Sequence, residues 1–124
     1  MSTCSDAYFQ YYGFLEFGED WYLDDDFVLD VVDMIGCCNA CYTRQNCAIW
    51  GFWKDSPFLD GHACKLNFIP DSGYYGGQPP LASPNPKPNQ CPLGSLKAYR
   101  PPEWVPSDWG YFTEDYGPCF VERA

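Results

Sequence analysis

Apolar positions along this chain change their period between residues 30 and 69. Val31, Val32, Met34, Ile35, Cys38 and Cys41 recur at helical spacing. They predict a helix from an N-cap at Asp30, with Asp33 in the first turn, to about Gln45. Cys37 and Cys41 stand at i and i+4, so they share one face of that helix. Gly36 inside it costs about 1 kcal/mol and predicts close packing of the helix on a sheet. From Cys47 to Lys54 the period becomes that of a strand. Ala48, Trp50 and Phe52 are expected on one face, and Cys47, Ile49, Gly51 and Trp53 on the other. Ala63 to Ile69 reads as the next strand and Gly94 to Arg100 as the last, closed by Pro101-Pro102. Five cysteines between residues 37 and 64 therefore imply a helix stapled to a sheet.

The flanks are less regular. Residues 8 to 22 are dense in Tyr, Phe and Trp, which favours strand, with Gly13 and Gly18 as interruptions. Asp24-Asp25-Asp26 reads as a solvated turn rather than a calcium site, since it lacks the Gly and distal Glu of an EF-hand loop. Residues 70 to 93 read as loop. Six of the fourteen residues from Pro79 to Pro92 are proline, so an extended, partly polyproline II segment is expected there. Residues 103 to 124 carry Trp104, Trp109, Tyr111, Phe112, Tyr116 and Phe120. So many rings argue for an arm packed on the domain or on a neighbour, pinned by Cys119.

Composition narrows the class. A chain of 124 residues is one domain, read as 1–100 with an arm at 101–124. Eight cysteines is high and even usage, and points to four disulfides in an oxidising compartment. A zinc site is the weaker reading. Cys38-x-x-Cys41 has ligand spacing, but no second such pair follows and His62 is the sole histidine. No apolar run suits a signal peptide or a membrane span, so the expectation is a secreted protein whose signal has been removed, without membrane insertion. No N-x-S/T sequon is present.

The net charge of -10 is unevenly spread. Residues 1–43 hold nine acids and no Lys or Arg, residues 44–100 hold six bases and three acids, and residues 101–124 hold five acids and one base. Such a surface is a poor partner for nucleic acid. A solvated acidic surface is the plain reading. The asymmetry also permits acidic ends to meet a basic middle, within one molecule or between neighbours.

The core pattern, Cys37-x3-Cys41-x5-Cys47-Ala48-x-Trp50-x-Phe52 followed by Cys64-x-Leu66, resembles the PAN/apple domain. The match covers residues 30–68, about a third of the chain, and flanking strands would extend it to about residue 100. It implies an α+β fold: a small antiparallel sheet of about five strands with one helix disulfide-stapled to it. Carried over, it implies Cys41–Cys47 and Cys37–Cys64, with Cys38 able to replace Cys37. An apple-like sheet with neighbouring first and last strands would bring Cys4 to Cys119 and leave Cys38 with Cys91. Cys38, Cys91 and the tail depart from the family pattern.

Catalytic constellations are missing from the sequence. His62 sits in a Gly-His turn context, every cysteine has a prospective partner, and no phosphate loop occurs. The expectation is a non-enzymatic module without metal or cofactor. The resemblance implies an extracellular, adhesion-type partner, a protein or a glycan. Aromatic residues make up 19% of the chain, more than a small core absorbs. Trp50 and Phe52 are expected in the core. Trp53, Tyr74, Tyr75, Trp104 and Trp109, on the opposite strand face or in loops, are the candidate ligand-binding residues. The alternative is a structural subunit of an extracellular filament, wall or matrix that self-associates through its arm.

Overall fold

The computed structural model describes Cys4 and residues 23–53, 61–71, 81–98 and 112–122. The expected strands within 8–22 lie outside these residues, as does the start of the proline-rich stretch. The fold is α+β with one helix among the described residues. In chain order the elements are β1 (Asp24–Phe27), α1 (Met34–Tyr42), β2 (Cys47–Trp53), β3 (Ala63–Phe68), β4 (Leu96–Ala98), β5 (Phe112–Tyr116) and β6 (Phe120–Glu122).

The sheet forms around β2, whose Cys-Ala-Ile-Trp-Gly-Phe-Trp sequence is rich in residues that suit a pleated, buried surface. It pairs antiparallel with β3 on one side and β5 on the other, and β1 extends the β3 edge, giving the order β1-β3-β2-β5. β4 and β6 form a separate two-stranded parallel ribbon. Among the described residues, the expectation of about five strands in one sheet is corrected to four strands plus this ribbon. Asp24-Asp25-Asp26 is likewise strand, not turn. Alternation sends Asp24 and Asp26 to one face and Asp25 to the other, so the three carboxylates do not converge.

The expected arm at 101–124 is corrected as well. Residues 112–116 are a strand of the main sheet, and 120–122 complete the ribbon beside β4. A boundary at residue 100 would cut through one folded unit. Charged residues, Gly117 and Pro118 hide these two short strands from a pattern search.

α1 starts later than its apolar pattern suggests. Asp33, in extended conformation, is the N-cap and its carboxylate accepts the Gly36 N–H at 2.7 Å. A side chain at Gly36 would meet Asp33 Oδ1 and the Val31 methyl, not the sheet. Its role is room at the cap, rather than the close helix–sheet contact expected. At the other end Arg44 Nη1 donates to the Ala40 carbonyl at 2.8 Å, and Gln90 Nε2 donates to the Tyr42 carbonyl at 3.5 Å. Side chains thus satisfy the carbonyls that a helix end leaves open.

The sheet is covered on both faces. On one, Cys37, Cys38, Ala40 and Cys41 of α1 pack on Trp50, Phe52, Cys64 and Leu66, together with Cys47 and Cys4. On the other, Ile49, Ala48, Ile69 and Tyr116 pack under Cys91, Leu96 and Cys119, with Leu81 and Phe120 at the margin. The proline-rich segment supplies much of this second cover. It is not an extended spacer: Asn85 Nδ2 donates to the Cys91 carbonyl at 2.6 Å, the Cys91 N–H to the Lys87 carbonyl at 2.7 Å, and Lys87 Nζ to the Pro118 carbonyl at 3.0 Å.

A bulge between Cys47 and Ile49 changes the strand parity. Cys47 therefore faces the helix with Trp50 and Phe52, whereas Ala48 joins Ile49 on the far face. Strict alternation had put them the other way round. The Gly117 N–H donates to the Ala48 carbonyl at 2.7 Å and the Cys119 N–H to the Cys47 carbonyl at 3.0 Å. These bonds satisfy backbone groups that a bulge removes from the regular ladder.

Candidate functional site

All eight cysteines are consumed by the scaffold. The disulfides are Cys4–Cys38, Cys37–Cys64, Cys41–Cys47 and Cys91–Cys119. Cys37–Cys64 and Cys41–Cys47 agree with the expectation. The pairs Cys4–Cys119 and Cys38–Cys91 are corrected. Cys4 and Cys38 belong to the helix-side core, and Cys91 and Cys119 to the core on the other side of the sheet. A disulfide needs α-carbons about 4.4–6.8 Å apart, which a sheet between the partners forbids. Cys38 and Cys41, the one pair with zinc-knuckle spacing, enter separate disulfides. Among the described residues no group of three His, Cys, Asp or Glu is placed to hold a metal ion. No helix there is long and apolar enough to cross a membrane.

The expected ligand-binding aromatics do not form a described cluster. Trp53 is corrected: it is 0% exposed. It packs with Ala63 and Phe27 on the sheet face away from the helix, and Lys65 Nζ lies 5.8 Å from its ring centre. The expectation treated that face as open, but it is covered. Tyr74, Tyr75, Trp104 and Trp109 lie outside the described residues. Trp50 and Phe52 are core residues, as expected.

One end of the sheet gathers several chain connections. Trp53 pairs with Ala63 on one side and with Phe112 on the other. The end of β2 and the starts of β3 and β5 therefore lie side by side. β1 finishes at the same end, where Phe27 pairs with Lys65 and the Val28 N–H donates to the Cys64 carbonyl at 2.9 Å. α1 starts there and runs back, since Cys37 reaches Cys64 and Cys41 reaches Cys47 at the opposite end. His62, half-buried, lies beside Phe52 at this end, with ring centres 6.2 Å apart.

The β1–α1 connection carries a feature that periodicity alone did not isolate. Val28, Val31 and Met34 pack against the helix-side core. Leu29, Val32 and Ile35, each one residue later, are 75%, 69% and 37% exposed. The core takes the apolar residues at 28, 31 and 34 and leaves those at 29, 32 and 35 outside. The signal in the sequence is an excess: Val28-Leu29-Asp30-Val31-Val32-Asp33-Met34-Ile35 has more large apolar residues than one face of a short segment can bury.

Comparisons with known proteins return no matching family model, no matching curated protein and no matching solved structure.

Proposed function

We propose that this protein is a non-catalytic, extracellular binding module of PAN/apple-like design, recognising a protein or carbohydrate through side chains displayed at the Trp53 end of its sheet. The observation that carries this reading is the division of labour in the chain. Four disulfides take all eight cysteines into a buried scaffold, while the ends of β1 and β2 and the starts of β3 and β5 lie at one end of the sheet. Connections on a rigid scaffold are where binding residues concentrate. Trp104 and Trp109 precede β5 by a few residues and are the aromatics best placed in sequence to serve that end. Disulfides are consistent with secretion.

The test is a screen of the disulfide-intact protein against a glycan array and a panel of extracellular proteins, repeated with Trp104→Ala and Trp109→Ala. A hit that both substitutions weaken supports the reading. A hit indifferent to both moves the ligand off these aromatics. The filament alternative is less favoured, because residues 112–116 are already hydrogen-bonded into the sheet of their own chain. Its assay must use substitutions within 101–111, since deleting 101–124 would remove β5.

A further inference from the structure

We propose that the β1–α1 corner is a docking surface for a cationic polypeptide segment that carries apolar side chains. The carrying observation is the unused apolar stripe of Leu29, Val32 and Ile35. Leu29 and Val32 are the most exposed large hydrophobic residues described, and Leu93 is the sole one outside this stripe. Exposed apolar residues scattered singly need no explanation, but these three fall within seven residues of one connection and its following helical turn.

The occupant follows from charge. Exposed Asp26, Asp30 and Asp33 lie in the same short segment as these apolar residues, and residues 1–43 hold no Lys or Arg. An apolar strip with an acidic rim is complementary to a segment that alternates apolar and basic residues. It repels anionic lipid and acidic peptides. A second copy of this chain is the competing occupant, because exposed Leu93 has its N–H bonded to Asn46 and lies near the segment that holds exposed Arg44. The net charge of -10 opposes that association at long range. A basic partner gains from the same charge.

The inference rests on the binding-module reading only for its class, and the surface is separate from Trp104 and Trp109. Its test uses the full chain with disulfides intact. The probe is a synthetic amphipathic Leu/Lys peptide, compared with a Leu/Glu peptide of the same pattern. Leu29→Ser/Val32→Ser leaves every charge in place and should weaken Leu/Lys binding about ten-fold through lost apolar contact. Asp26→Lys/Asp30→Lys should weaken it at least as much, with a smaller salt dependence. Asp71→Lys, exposed and remote from the corner, should leave it unchanged.

Amide shifts in the unmodified protein should move within residues 24–38, which keeps the proposal testable should a variant fold poorly. Equal binding of the Leu/Glu peptide, undiminished Leu/Lys binding by the serine variant, or shifts confined elsewhere would each overturn it. Self-association abolished by the serine variant would give the strip to a second copy, and would also overturn it. Peptide binding lost in Trp104→Ala or Trp109→Ala but kept in the serine variant would sink the corner while sparing the binding-module reading.

Discussion

The two faces of the sheet are secured by different means. On the helix face, three disulfides issue from one nine-residue helix, at Cys37, Cys38 and Cys41. A helix so short is marginal on its own in water. Its buried residues are three cysteines and Ala40, with no large side chain among them. Covalent bonds and sulfur packing replace the broad apolar stripe that normally anchors a helix. On the other face a single disulfide, Cys91–Cys119, joins a segment with little regular structure. There amide side chains do the bonding: Asn85 to the Cys91 carbonyl, Gln90 to the Arg44 carbonyl, and Asn46 to the Leu93 N–H. Irregular backbone has unsatisfied polar groups at each step, and Asn and Gln can both donate and accept. A short helix needs cross-links because it lacks contact area; an irregular loop needs side-chain hydrogen bonds because it lacks a ladder.

Removing one disulfide from each face tests this difference most strongly. Cys37→Ala/Cys64→Ala and Cys91→Ala/Cys119→Ala open loops of nearly equal sequence separation, 27 and 28. Chain entropy alone would make both lose about 3.5 kcal/mol. The helix-face variant is expected to lose more, about 4–5 kcal/mol in urea unfolding, with protection falling throughout α1, β2 and β3. The loop-face variant should lose about 3 kcal/mol, with exchange rising in 81–98 and 117–122 while β2 and β3 stay protected. Equal losses with the same exchange pattern would mean that the hydrogen-bonded loop is not an independent anchor.

Gly117→Ala probes the point where the two faces meet. An added Cβ would press on the Cys41 sulfur of the helix-side disulfide and stand 3.0 Å from the Cys47 carbonyl oxygen. Neither is the far end of a flexible side chain. Overpacking of this kind should cost about 2–3 kcal/mol in denaturant unfolding. A loss within experimental error would show that the bulge at Cys47–Ala48 can relax.

Asn46 gives the smallest and most local effect. Its φ of 66° lies in the left-handed region. Its backbone N–H donates to the Gln90 carbonyl, its carbonyl accepts the Ile69 N–H, and its Oδ1 accepts the Leu93 N–H. Asn46→Ala should cost about 1.5–2 kcal/mol, from strain and one lost hydrogen bond. Asn46→Gly relieves the strain and should cost about 1 kcal/mol or less. Thermal unfolding of the two variants separates conformation from bonding; a more stable alanine variant would reverse that assignment.

Much of the helix–sheet unit was legible in the chain. The change of period between Met34 and Trp53, the i and i+4 cysteines, and the aromatic alternation of Trp50 and Phe52 each reflect local geometry. The strands β1, β5 and β6 were not legible. Acidic Asp24-Asp25-Asp26 and Phe112-Thr113-Glu114-Asp115-Tyr116 lack strand-like patterning, and β1 and β5 form the edges of the described sheet. Charge suits such edges, because it discourages pairing with another chain. Trp53 was misplaced for a related reason. Alternation told which face it takes, but not that Phe27 and Ala63 would enclose it there.

A short helix bearing Cys37 and Cys41 ahead of a buried aromatic strand follows from local sequence, because those relations span only a few residues. Which way Cys47 points, which cysteine Cys38 meets, and why Val31 enters the core while Val32 stays outside are set by packing across the fold. Each outcome depends on groups far apart in the chain. Cys47 turns to the helix through a bulge whose carbonyls are held by Gly117 and Cys119. Cys38 bonds Cys4 because the sheet stands between it and Cys91.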